Sequence, residues 1–292
     1  MNNDLRVRSL GAETTLRPMH AGDLAAMHGL AQRMSWPHRA EDCAQLFALG
    51  AGTVAVDATG RTVGVGLRWS FGRDVGTIGL VLVAPERQGR GIGRALMKVL
   101  IADMAPRALM LNATAEGLPL YEKLGFVSTG FVRQHQARLA EAPTLPSVPT
   151  VPMRRAGPAD HAALCALDAA AFGTDRSALI SRLLASGEAW VVEHAGRPAG
   201  FAMLRAFGRG SIIGPIVAAS EDEAIALAAA AAQAAPPGVL RVDILAQAER
   251  LAAWLTAAGL PAIDTVTVML RGNWPATEKG PQRFGLALQA WG

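Results

Sequence analysis

Residues 77–100 read TIGLVLVAPERQGRGIGRALMKVL. The run from Thr77 to Val83 is apolar and β-branched, which predicts a strand. Pro85 ends it, a loop of glycine and arginine follows, and Ala, Leu and Met then take helical spacing. A strand that enters a helix through a glycine loop is a physical recipe for an anion site. The first N–H groups of the helix lack intrahelical partners, and the helix dipole favours negative charge there. Gly89, Gly91 and Gly93 let the backbone approach a ligand, and Arg87, Arg90 and Arg94 add charged donors for phosphate. The loop is not a dinucleotide-binding Gly-x-Gly-x-x-Gly, because the third position falls on Arg94 or Leu96. The Gly-Lys-Ser/Thr of an NTPase phosphate loop is also absent.

Moving outward from this loop, the chain repeats itself. Arg17, Asp23 and Leu30 match Arg154, Asp160 and Leu167 at an offset of 137. Gly60, Arg61, Gly64 and Phe71-Gly72-Arg73 match Gly196, Arg197, Gly200 and Phe207-Gly208-Arg209 at 136, and Leu124-Gly125-Phe126 resembles Ala258-Gly259-Leu260 at 134. Ordered blocks with slowly drifting offsets indicate duplication. Each copy carries the same predicted elements: a short strand (13–17; 151–154), a helix (21–34; 159–172), and a hairpin around a glycine turn (53–69; 189–204). A strand (77–83; 212–217), a helix and a late strand (109–112; 240–244) complete it. The fold class is α/β, two tandem domains each with a mixed sheet and packed helices. The expected division is 1–140, a proline-rich extended linker at 141–152 (EAPTLPSVPTVP) and 153–292.

Charge favours the first copy for an anionic ligand. Residues 1–140 hold 16 Lys+Arg against 11 Asp+Glu, and the remainder 12 against 13, in a chain of net charge +4. The basic residues are scattered, without helix-turn-helix pattern or zinc-finger spacing, so no nucleic-acid partner is expected. Cys43 and Cys165 form neither a disulfide framework nor a metal-ligand set. The apolar run Ala224–Ala235 is too short to span a bilayer and reads as a buried helix. With a charged N-terminus (MNNDLRVRSL) as well, the expectation is a cytoplasmic protein without membrane contact.

Gln88-Gly89-Arg90-Gly91-Ile92-Gly93 resembles the pyrophosphate-binding signature of the GNAT N-acetyltransferase superfamily. Tyr121 followed by Gly125-Phe126 resembles the family's helix after the fifth strand; it is the single tyrosine of the chain. The resemblance covers roughly residues 13–137 and echoes faintly in the second copy, as in a tandem two-domain subgroup. It implies an acetyl-CoA-dependent N-acetyltransferase. Val81, Leu82 and Val83 would hold the pantetheine arm, Gln88, Gly89, Arg90, Gly91, Ile92, Gly93 and Arg94 the pyrophosphate. Tyr121 would be the general acid that protonates the leaving thiolate. A backbone N–H near Leu82 would polarise the thioester carbonyl. Asn112 would bond the pantetheine arm or the local turn. No metal is implied.

The strand 77–83 carries no carboxylate to act as general base; Asp74, just before it, or a water chain would have to serve. Trp36, Trp69 and Phe71 are core residues or acceptor-pocket walls, and His38 and His135 are expected at the surface. In the second copy the loop maps onto Glu223–Ala228 and Tyr121 onto Leu255, so that copy is expected to be degenerate. The acceptor is a small-molecule or peptide amine, and the chain a monomer or homodimer. The alternative is a non-catalytic acyl-CoA-binding sensor or scaffold.

Overall fold

The computed structural model describes residues 8–9, 14–277 and 280–292. Glu13 and most of the charged N-terminus therefore lie outside the described residues. The first half runs β1 (Arg8–Ser9), β2 (Thr14–Pro18), α1 (Leu24–Arg33), α2 (Ala40–Ala48), β3 (Ala51–Asp57), β4 (Thr62–Phe71) and β5 (Val75–Val83). It continues with α3 (Ile92–Met104), β6 (Ala108–Ala113), α4 (Leu118–Glu122) and β7 (Val127–Leu139). The second half repeats it: β8 (Met153–Arg155), α5 (His161–Phe172), α6 (Ser177–Leu184), β9 (Gly187–His194), β10 (Arg197–Phe207) and β11 (Gly210–Ala218). It ends with α7 (Glu221–Ala234), β12 (Gly238–Leu245), α8 (Glu249–Ala257), β13 (Ala262–Arg271) and a strand without counterpart, β14 (Gln282–Gly285).

Local chemistry accounts for these elements. The β3–β4 turn is closed by the Asp57 carboxylate, which accepts from the Thr59 and Arg61 N–H groups at 3.0 and 3.1 Å. In α3 the residues Ile92, Leu96, Met97, Leu100 and Met104 are buried, the i, i+4 stripe of a helix lying on a sheet. Asp23 and Asp160 occupy matching places: each carboxylate takes a bidentate guanidinium, from Arg17 or Arg154, and a backbone N–H three residues back. The alanine-rich segment is α7, buried along most of its length.

All the described strands join one sheet in the order β1-β2-β3-β4-β5-β6-β13-β7-β12-β14-β11-β10-β9-β8. The last long strand of each half is exchanged. β13, from the second half, pairs antiparallel with β6 (Met269↔Leu111), and β7, from the first, pairs with β12 (Val242↔His135). The two exchanged strands pair with each other at the centre (Val266↔Val132). The cores follow the exchange: Met269 is fully buried in the cluster around α3, β6 and Phe126, and the largest cluster joins Trp69 and Leu96 to Phe172 and Leu179. Segment 141–152 has no helix or strand, yet Leu145 and Val148 pack on the second core and the Trp254 indole donates to the Ser147 carbonyl at 3.1 Å.

Candidate active site

In the first half β5 and β6 are paired only at Val75–Thr77 (Thr77↔Met110). Beyond that point they diverge. A bulge opposite Val65–Leu67 places Leu80 at φ 48°, bending β5 away from its neighbour. From Ile78 onward the β6 side of β5 has no strand partner, so its outward backbone groups face open space. That space is a cleft of about 740 Å³. It is lined by Val81, Leu82, Val83, Gln88, Gly89, Gly91, Ile92, Gly93, Arg94, Asn112 and Tyr121. Of the residues expected to hold the cosubstrate, Arg90 is exposed and off the lining.

The floor of the cleft suits a phosphate-bearing ligand. Gly91 stands as N-cap of α3 in the left-handed region (φ 80°), with no side chain capping the helix. A Cβ built at Gly89 or Gly91 would meet no atom within 4 Å, so the space above the loop is open. The free N–H groups of the α3 N-terminus and the Arg94 guanidinium therefore face a cavity.

Tyr121 closes the other end. Its ring lies over Gly117, where a Cβ would stand 2.8 Å from the ring, so a side chain at 117 would displace it. Phe126 meets the ring edge-on at 6.2 Å. The hydroxyl makes no hydrogen bond among the described residues, and burial pushes the phenol up to about 12. The group is thus a neutral proton donor throughout the physiological range.

A second cavity, about 240 Å³, adjoins the first and shares Trp36, Ile78, Leu80, Asn112 and Thr114 with it. Its remaining walls include Phe207, Arg241, Asp264 and Leu288-Gln289-Ala290 of the second half. Those last residues arrive by the route of β14. The strand enters the second half between β11 and β12, pairing Val217↔Arg283, Ile216↔Gly285 and Ile244↔Gly285. The chain then crosses to the first half. Asn112 Nδ2 donates to the Gln289 carbonyl at 2.6 Å and Thr77 Oγ1 to that of Ala290 at 2.8 Å. Trp291 lodges edge-on against Trp69, and the buried Arg176, paired with Asp168, donates to the Trp291 and Gly292 carbonyls.

Several expectations change here. Of the two roles expected for Asn112, the local turn is not seen: its Nδ2 donates to the Gln289 carbonyl instead. His38 and His135 are buried, not at the surface. His38 lines the smaller cavity, and burial drives it down to about 4, so its imidazole is neutral. His135 Nδ1 is 2.8 Å from the Leu260 carbonyl. Of the three aromatic residues Trp36 borders both cavities, whereas Trp69 is core, its indole donating to the Leu46 carbonyl, and Phe71 meets Phe172 edge-on. Asp74 lies in the turn before β5, away from both cavities. No group of metal-binding side chains occurs among the described residues, and no described helix is long and apolar enough to cross a membrane.

The second half lacks this site for a reason the alignment of its loop did not reveal. Eight positions, 84–91, separate β5 from α3, but only Ala219 and Ser220 separate β11 from α7. The loop is deleted, and residues 223–228 are the opening turns of a helix. Ser220 Oγ accepts from the Glu223 N–H at its start, the Glu223 carboxylate accepts from the Ala219 N–H just before it, and Leu255 at the tyrosine position is fully buried.

An open cleft between diverging strands, floored by a glycine loop and a helix N-terminus, defines the acyltransferase class to which this architecture belongs. Residues 37–137 and residues 164–285 each match a family model described as an acetyltransferase (GNAT) domain. The chain belongs to the GNAT acetyltransferases, with one such domain recognisable in each half. Members of this family use an acyl-CoA cosubstrate. The chain is 36% identical over 177 residues (60% of its length) to the uncharacterized N-acetyltransferase YitH of Bacillus subtilis. It is 38% identical over 96 residues (29% of its length) to the mycothiol acetyltransferase of Tsukamurella paurometabola. The alignments span 61% and 32% of those relatives. A crystal structure of a candidate acetyltransferase from Pyrococcus horikoshii superimposes with a TM-score of 0.77 at 20% identity, covering 98% of each chain.

Proposed function

We propose that this enzyme moves an acetyl group from acetyl-CoA to a primary amine, with the chemistry confined to the first half and Tyr121 as general acid. The observation that carries this reading is that the glycine loop, the unpaired edge of β5 and Tyr121 line one continuous cleft. Acetyl-CoA supplies an activated thioester. Residues 88–94 are suited to its pyrophosphate through backbone N–H groups and Arg94, and Val81–Val83 to its amide-bearing arm through the free edge of β5. The amine nitrogen attacks the thioester carbonyl, the C–N bond forms and the C–S bond breaks. Tyr121 gives its proton to the departing sulfur, the positively charged nitrogen formed by the attack loses a proton to solvent as it becomes the amide, and Tyr121 is reprotonated from solvent.

Calorimetric titration with acetyl-CoA tests the binding half of the proposal. Gly91→Glu puts a carboxylate into the anion cradle, and a loss of affinity of about a hundredfold or more is expected. Unchanged affinity would remove the ligand from this loop. For the chemistry, Tyr121→Phe should lower kcat by about 10²-fold to 10⁴-fold while leaving acetyl-CoA affinity intact. A phenol held near 12 also predicts no loss of this acid between pH 7 and 10. An alkaline decline below pH 10 that Tyr121→Phe abolishes would contradict that environment.

A further inference from the structure

The smaller cavity is not merely the far end of the cleft; its polar groups are incompletely used. His38 Nδ1, Asn112 Oδ1 and Gln289 Nε2 are all buried without a hydrogen-bond partner, and all three residues line it. A buried polar atom left unpaired costs roughly 1–3 kcal/mol, so three around one small cavity indicate a ligand that satisfies them. The polarity of Asn112 is set by its neighbour: Nδ2 donates to the Gln289 carbonyl, which leaves Oδ1 as an acceptor aimed elsewhere. Neutral His38 offers a second acceptor for an N–H donor.

Donors gather on the second-half wall. Asp243 takes Nε and Nη2 of Arg241, and Nη1 has no acceptor among the described residues. Arg205 lies behind the same wall, its guanidinium and that of Arg241 each 5.6 Å from the Phe207 ring centroid. Arg205 is fully buried with no carboxylate of its own, bonding the Ala287 carbonyl. On this wall Arg205 and Arg241 thus stand against the one carboxylate of Asp243, while the nearby Asp42 is paired with Arg39. The exposed Asp264, also from the second half, supplies one negative group at the rim.

Resting on the acetyl-transfer reading above, we infer that the acceptor is a small amine bearing a carboxylate, an amino acid in its simplest form. The carboxylate faces Arg241 and Gln289, and the amine faces Asn112 Oδ1 and His38, at the junction with the thioester cleft. A cavity of about 240 Å³ is matched in size to such a molecule.

The test assays the full chain with acetyl-CoA, following thiol release, on matched trios. Leucine, leucinamide and 3-methylbutylamine form one trio; phenylalanine, phenylalaninamide and phenethylamine form the other. The expected kcat/KM is about a hundredfold higher for the amino acid than for its partners, because the analogues leave the donors unpaired. In Gln289→Glu, nearly isosteric but repelling a carboxylate, that preference shrinks or reverses. Should this variant fail to fold, the wild-type trios decide alone. Equal or better turnover of the carboxamides or decarboxylated amines overturns the inference. So does absence of turnover for every amine by a protein that binds acetyl-CoA. Failure to bind acetyl-CoA strikes instead at the acetyl-transfer reading on which it rests.

Discussion

The two halves of this chain open the same wedge and fill it differently. In the first, β5 and β6 part after Thr77 and enclose a cleft. In the second, β11 and β12 part after Ile213, at a bulge where Gly214 takes φ 153°, and β14 lies in the gap as a strand of the chain itself. The difference teaches that the wedge is a property of the fold, whereas its occupant is set by the loop before the helix. With residues 84–91 present, N–H groups are left for an anion. With the loop reduced to Ala219-Ser220, the helix end carries a Ser220 side-chain cap and three acidic residues, and the gap accepts protein. The occupied half still serves the open one, because the chain leaving β14 carries Gln289 and Ala290 to the wall of the first half's smaller cavity.

The most severe way to break the comparison is to separate its members. Cutting within 141–152 leaves β6 without β13 and β12 without β7. Each fragment would expose a long unpaired strand edge and buried side chains such as Met269 and Val132. Neither fragment alone is expected to give a cooperative thermal transition, while the two expressed together should recover one. A folded isolated 153–292 fragment would mean that the exchange is not essential to either half.

How far the sequence anticipated this is uneven, for physical reasons. The glycine loop and the Tyr121…Gly125-Phe126 spacing were legible because local backbone demands require particular residues at fixed intervals. The duplication was legible for the same reason. Strand exchange was not, because β7 and β13 are equivalent in the repeat, and swapping equivalent strands leaves every apolar pattern unchanged. The deleted loop escaped because Glu223–Ala228 can be laid against residues 89–94 without a gap, and only the observed start of α7 shows that it is helix. The terminal run FGLALQAW buries Phe284, Leu286, Leu288 and Trp291, but its crossing to the first half was not legible, because the neighbours that bury it are tertiary. His38 and His135 read as surface residues because burial of a lone histidine is decided by tertiary neighbours, here Phe207 and Leu260.

His38 offers the next test. Its counterpart at the repeat offset of 137 is Asp175, an exposed turn residue whose carboxylate accepts from the Ser177 N–H. The first-half position is enclosed and titratable, the second-half position solvated. A histidine at about 4 when folded and 6.5 when unfolded binds fewer protons in the folded state between those values. Its contribution is complete above pH 6.5 and is lost as pH falls toward 4, in all about 3 kcal/mol. Denaturant titrations at pH 7 and pH 4 should therefore show a smaller acid loss in His38→Gln than in wild type. An equal loss in both would place His38 in water.

The smallest expected effect sharpens the contrast between the two helix ends. Ser220 Oγ accepts from the Glu223 N–H at 3.3 Å, while Gly91 offers α3 no side-chain cap. Ser220→Ala removes one internal acceptor and should cost about 1 kcal/mol of stability. It should leave acetyl-CoA affinity unchanged, because the end it uncaps is still occupied by the Glu223 carboxylate and its acidic neighbours, which repel phosphate. Deletion of one hydroxyl cannot restore a loop. An affinity change on Ser220→Ala would instead couple the second helix end to the first cleft, with the segment after β14 as the physical connection between them.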